Sequence, residues 1–231
     1  MSEASAPTES RDARVRQSDP APEEIAMSTA LEPAPVDAPP SSEESPYLFG
    51  VDDFYRMLEL EVFPRESRVG LWNGRIYEKM AKTQAHVVSG NKVYITLVHA
   101  LPQGWFVGGE NPVTVAPDKA PLPDLIVLRG APDDYIDRRP VAADVGLVIE
   151  LSLSSLRIDT GPKLAAYASA GIPAYWVLNL KEGVIHVYSD PIPSEGRFAS
   201  MATVGRDGSV ALTLDGVPVG PIAASDLLPA R

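Results

Sequence analysis

Residues 144–152 read DVGLVIELS, and six of the seven positions from Val145 to Leu151 are apolar or glycine. An apolar run this short and this rich in β-branched residues is the pattern of a strand buried on both faces, so other elements must cover it. LPDLIVLRG, residues 122–130, is a second run of the same kind. Each run carries one acid, Asp124 near the start of the first and Glu150 near the end of the second. A carboxylate taken out of water is costly unless it is paired, hydrogen-bonded or bound to a cation. These two acids therefore need partners.

The rest of the chain supplies alternating helices and strands. VDDFYRMLEL (51–60) predicts a short amphipathic helix with Phe54, Met57 and Leu58 on one side. LWNGRIYEKM (71–80) holds an Asn-Gly pair between apolar residues, the signal of a tight hairpin. Residues 83–102 predict a helix capped by Thr83 and ended by Pro102, with Val88, Ile95 and Val98 at near-helical spacing and Gly90 weakening it slightly. GWFVGGENPVTVAP (104–117) reads as a strand or a bent pair of strands, and a charged loop spans 131–142.

In DTGPKLAAYASAGIPAYWVLNL (159–180), Pro162 marks the first turn of a helix that closes at Gly171. Pro173 leads into the strand AYWVLNL, against which GVIHVYSD (183–190) pairs antiparallel. The last stretch predicts a terminal β-hairpin turning at Arg206-Asp207-Gly208. The fold class that follows is α/β, a mixed sheet flanked by helices with a C-terminal β-hairpin.

Composition sets the outer limits. The chain has 231 residues, 45% of them hydrophobic, which is enough for one domain with a real core. It has no cysteine, so disulfides and thiolate metal sites are excluded. No apolar run approaches the ~18 residues of a membrane helix, and MSEASAPTESRDAR lacks the basic-then-apolar pattern of a secretion signal. A soluble, cytoplasmic protein that does not engage a membrane is expected.

Net charge is −11, but ten acidic and three basic side chains fall within residues 1–46, along with eight of the 23 prolines. That segment is expected to be a disordered acidic tail, with residues 47–231 forming a single domain. The domain is mildly acidic, which excludes a protein that grips nucleic acid by charge alone.

Asp124 and Glu150 lie 26 residues apart, and on neighbouring strands their carboxylates converge at one sheet edge. Two carboxylates at one point repel and call for a cation between them, and a hard divalent ion such as Mg²⁺ suits an oxygen-only site. The carbonyl of Leu151 supplies a possible third oxygen. Lys163, in the first turn of the helix after Glu150, would sit against the helix dipole at a cost of ~0.3–1 kcal/mol. It too needs an acidic partner or a phosphate.

A strand Asp, a strand Glu and a nearby Lys resemble the PD-(D/E)XK nuclease superfamily, and within it the Uma-two family of restriction-endonuclease-like proteins. The resemblance runs over residues 47–190 through NGRIYEKM, QAHVVSGN, LPDLIVLR, LVIELSLSSLRIDTGPKLAAYASAGIPAYWVLN and VIHVYS. It implies a restriction-endonuclease-like fold in which Asp124, Glu150 and the Leu151 carbonyl hold Mg²⁺ or Mn²⁺. Ser152 stands where the superfamily has its lysine, and the family's displaced lysine matches Lys163, with Asp159 ahead of it. His86 becomes a candidate beside the active site, whereas Tyr167, on the helix face of Lys163, reads as a packing residue.

The implied chemistry is hydrolysis of a phosphodiester, with the ion polarising a phosphoryl oxygen and lowering the pKa of a bound water. Lys163 would orient that water or stabilise developing charge. DNA is the expected substrate, and a homodimer the expected assembly, because cutting both strands of a duplex calls for two sites.

One position departs from the family. Where YELIDG is usual, this chain reads VGLWNG, so the glutamate is Gly70 and the aspartate is Asn73. That opens the alternative of a weakened or inactive nuclease fold used for binding or assembly. A third reading, two carboxylates acting as glycosidase-like acid and base, is disfavoured by an aromatic content of 7%.

Overall fold

The computed structural model describes residues 45–230, and all but the last two residues of the expected acidic tail lie outside that range. In chain order the main elements are α1 (Val51–Glu59), β1 (Val69–Trp72), β2 (Arg75–Glu78), α2 (Gln84–Ala100), β3 (Trp105–Gly109), β4 (Leu125–Arg129) and β5 (Val145–Ser152). Then come α3 (Leu156–Ile158), a π-helical turn (Asp159–Lys163), α4 (Leu164–Ser169), β6 (Ala174–Asn179), β7 (Val184–Ile192) and β8 (Arg197–Gly205). A final hairpin, β9 (Ser209–Leu214) and β10 (Val217–Ala223), is followed by the short α5 (Ala224–Leu227).

Six strands form one sheet in the order β3-β4-β5-β6-β7-β8. Only β5 and β6 run parallel, joined by the helical α3–α4 crossover; the other four pairings are antiparallel. Alternation along β5 separates the two faces. Leu147, Ile149 and Leu151 pack with Val93 and Leu97 of α2 and with Val210, Leu212 and Ile222 of the last hairpin. Val148 packs on the opposite face with Tyr167, Ala168 and Ile172. The expected mixed α/β architecture and C-terminal hairpin are present.

Local signals account for much of this. Asn73 and Gly74 turn the β1–β2 hairpin with φ of 50° and 71°, the left-handed pair that a two-residue turn requires. Thr83 caps α2 by accepting the His86 amide at 3.4 Å. Gly171 ends the crossover at φ 73°. The hairpin is tied to the sheet's flank by a two-way backbone pairing of Leu71 with Ala120.

Three local expectations need correction. The face that α2 buries is Ser89, Val93 and Leu97, whereas Val88, Ile95 and Val98 are 40%, 56% and 50% exposed. Both stripes have helical periodicity, and contact with β5 selected the one that fits. The turn at residues 206–208 does not make the terminal hairpin: β8 joins the main sheet, and Asp215-Gly216 turns β9 into β10.

The crossover helix also starts earlier than Pro162 suggests, at Leu156, with Pro162 inside the π-turn. Proline lacks the N–H that an α-helical turn would use, and widening the turn accommodates the loss. Lys163 is thus deep in the helical run, and the dipole argument for it fails.

Candidate active site

The last registered pair of β4 and β5 is Leu125 with Ile149, so the next step of the ladder sets Asp124 opposite Glu150. Cross-strand neighbours at such positions stand about 5 Å apart at Cβ, and like charges there repel. Both side chains are 2% exposed. Neither strand carries a cation beside this pair, so compensating charge must come from other elements.

Two lysines bring opposite charge to the pair. Lys163 Nζ lies 3.0 Å from Glu150 Oε2 and 2.8 Å from Asp159 Oδ1. Lys79, just past the end of β2, places Nζ 2.6 Å from Asp124 Oδ1 and 3.6 Å from Glu150 Oε2. Lys79 was not among the residues singled out from sequence. Its only local signal is period-2 alternation, which puts it on the same face of β2 as Tyr77. The pairing of β1 with β2, and the Lys79 amide donating to the Arg68 carbonyl at 2.8 Å, then carry it to the acids.

The remaining carboxylate oxygens are also held. The Leu151 amide donates to Asp124 Oδ2 at 2.8 Å, and the Tyr167 hydroxyl donates to Glu150 Oε1 at 3.0 Å. Tyr167 therefore packs, as expected, and also fixes the acid. Asp159 is fully enclosed and accepts from Ser155 Oγ at 2.5 Å. His86 reaches the cluster from α2, its Nε2 3.1 Å from Asp124 Oδ1. The four side chains expected at the site, Asp124, Glu150, Lys163 and His86, are thus together, and Ser152 is buried alongside on β5.

Protonation follows from these contacts. Burial pushes the Asp124 carboxyl up, but His86 and Lys79 beside it outweigh burial and hold it well below the usual carboxylate range. Glu150 is pushed up by complete burial, against the pull of Lys163 and Lys79. Burial also works against the Lys163 ammonium, yet Glu150 and Asp159 hold it above its ordinary value.

Gly70 lies opposite Tyr77 in the β1–β2 ladder, and a Cβ at position 70 would fall 2.6 Å from the Tyr77 ring. The space that a side chain at 70 would enter is therefore taken. The Tyr77 hydroxyl in turn accepts the Leu122 amide at 3.0 Å, bracing the segment that leads into Asp124.

A pocket of about 240 Å³ opens beside Asp124, lined by Lys82, Asn91 and Tyr94 among others. A larger cleft of about 710 Å³ lies between α1 and residues 135–141 and touches none of the cluster. Among the described residues, no three His, Cys, Asp or Glu side chains gather into a preformed cation cage.

The family model for Uma2, described as "putative restriction endonuclease", matches residues 51–218. The chain belongs to the Uma2 family. Its fold is similar to the crystal structure of "a putative nuclease belonging to DUF820" from Anabaena variabilis, with a TM-score of 0.58 at 16% identity, over 78% of this chain and 97% of that one. At that identity the likeness concerns the fold alone. No curated protein matches. Family and fold together place this Uma2 chain among the nuclease-like proteins, and no described helix is long and apolar enough to cross a membrane.

Proposed function

We propose that this Uma2 chain is a Mg²⁺- or Mn²⁺-dependent endonuclease that hydrolyses phosphodiester bonds in DNA. The observation that carries the reading is the opposed, buried pair Asp124–Glu150 with two ammonium groups directed at it. A core has no structural use for two facing carboxylates, and replacing buried ion pairs with apolar groups is often neutral or stabilising.

The donor set fits a hard divalent ion. Mg²⁺ is commonly held by one or two carboxylates and keeps several waters, so a full protein cage is not required. Asp124 and Glu150 would hold it, together with the Leu151 carbonyl. A strand residue sends its N–H and C=O to the same side, and the Leu151 N–H points at Asp124. When bound, the ion would supply Lewis-acid polarisation of the phosphate and acidify a water.

The chain's own residues do the rest. Lys163, fixed by Asp159, presents a permanent positive charge where negative charge develops during displacement at phosphorus. Tyr167 keeps Glu150 aimed. His86 Nε2, 3.1 Å from Asp124 Oδ1, steadies that carboxylate from the α2 side. Tyr94 gives a nucleotide an aromatic surface in the same pocket as Asp124. With a mildly acidic domain, binding should depend on the metal and weaken with salt. A homodimer, cytoplasmic location and cleavage of both strands complete the proposal.

One observation favours a second reading, an inactive relative: Tyr77 fills the space beside Gly70, where the family's glutamate would project. Nicking of supercoiled plasmid with Mg²⁺ or Mn²⁺ separates the two. Metal-dependent cleavage by wild type that disappears in folded Asp124→Ala and Glu150→Ala supports the nuclease. Absence of cleavage, or equal cleavage by all three, supports the binding protein.

A further inference from the structure

We infer that Lys79 is a built-in competitor of the divalent ion: its ammonium occupies the gap between Asp124 and Glu150 and must leave before the metal binds. The inference rests on the metal reading above and adds a residue that reading does not use.

The geometry is specific to Lys79. Lys163 is shared between Glu150 and Asp159 and does not pair with Asp124, so it lies to one side of the facing acids. Of the two lysines, Lys79 is the one that spans both, at 2.6 Å from Asp124 and 3.6 Å from Glu150. A Mg²⁺ ion held by the same carboxylates would need oxygens at about 2.1 Å. The two cations therefore exclude each other from one gap.

Lys79 is also built to move. Its backbone is fixed at the end of the hairpin by the Arg68 carbonyl, but its ammonium rides on a flexible four-carbon stem and its contact with Glu150 is long, at 3.6 Å. Lys163 is gripped more evenly, at 3.0 Å and 2.8 Å from its two acids. Without the metal, Lys79 neutralises the opposed acids and keeps the sheet edge from repelling itself apart. With a metal bound, the displaced ammonium would be available to a phosphate. Mutual exclusion of this kind is negative coupling, and coupling acts equally on both partners.

The test measures binding, independent of turnover. Mn²⁺ affinity is determined by calorimetry for wild type, Lys79→Met and Asp124→Asn, and thermal unfolding is followed in EDTA. Lys79→Met should bind Mn²⁺ more tightly than wild type by roughly tenfold or more, and should melt lower in EDTA, with added Mn²⁺ restoring it. Equal or weaker binding by Lys79→Met, while Asp124→Asn loses binding, overturns the role of Lys79 but leaves the metal site standing. No Mn²⁺ binding by any folded form overturns both. Should Lys79→Met not fold, a Mg²⁺ titration of wild type carrying ¹⁵N-labelled lysine decides the matter. The Lys79 Nζ resonance should shift as Mg²⁺ saturates, and an unmoved resonance overturns the inference.

Discussion

Asp124 and Glu150 face each other one step beyond the last registered pair of β4 and β5. Each is held by a different lysine at short range, Asp124 by Lys79 and Glu150 by Lys163. The lysines come from opposite sides in sequence, one before α2 and one after β5. The site therefore exists only when the hairpin and the crossover helix are both docked.

Removing a carboxylate should abolish activity without abolishing the fold. For Glu150→Gln, which keeps shape and part of the hydrogen bonding, cleavage should fall by at least about 100-fold, since even residues that merely orient a metal's ligands cost 10–100-fold. Circular dichroism would verify folding, and single-turnover nicking would give the rate. A Glu150→Gln protein as active as wild type would remove Glu150 from the site.

Asp124 predicts a pH-dependent stability difference. Its folded-state pKa lies below the ordinary value, so its ionised form stabilises the fold above about pH 4. That contribution is lost as pH falls toward the depressed folded-state value. Asp124→Asn, measured in EDTA, should therefore be less stable than wild type at pH 7 by roughly 3 kcal/mol, the scale of breaking a buried ion pair. The gap should narrow steadily between pH 4 and the acid limit of folding. Urea melts at pH 7, 5 and 3 would show it, and a constant gap would mean that Asp124 is not held by its charge.

Tyr167→Phe removes one hydroxyl and little volume. The buried Glu150 Oε1 then loses its donor, and stability should drop by about 1–3 kcal/mol. Activity should fall as well, because a freed carboxylate samples more than one orientation. Unchanged stability would show that water substitutes for the hydroxyl.

Restoring the family's glutamate at position 70 should fail on its own. Gly70→Glu drives a side chain into the Tyr77 ring and should destabilise by about 1–3 kcal/mol through overpacking, with no gain in cleavage. Combining it with Tyr77→Ala opens the space, and only that double variant should recover folding. A stable, more active Gly70→Glu would show that Tyr77 yields easily.

Much of the site was legible because its acids violate their surroundings. A Glu near the end of VGLVIEL and an Asp at the head of LIVLR demand partners whatever the fold. Lys163 was reached by a dipole argument that the helix start at Leu156 removes, although the lysine is indeed paired with Glu150. Lys79 could not be found this way. A lysine after RIYE looks like any solvent-facing strand end, and only docking of the hairpin reveals its partners.

By itself the sequence determined what short-range physics controls: the Asn73-Gly74 turn, the Thr83 cap, the Gly171 stop, and the placement of two acids in strands too apolar to tolerate them unpaired. Tertiary structure decided which of two periodic stripes α2 buries, that β8 joins the sheet instead of pairing with β9, and that Tyr77 fills the space beside Gly70. The physical reason is range. Turns and caps are settled by neighbours within a few residues, whereas a choice between two equally apolar surfaces is settled by the shape and charge of partners distant in the chain.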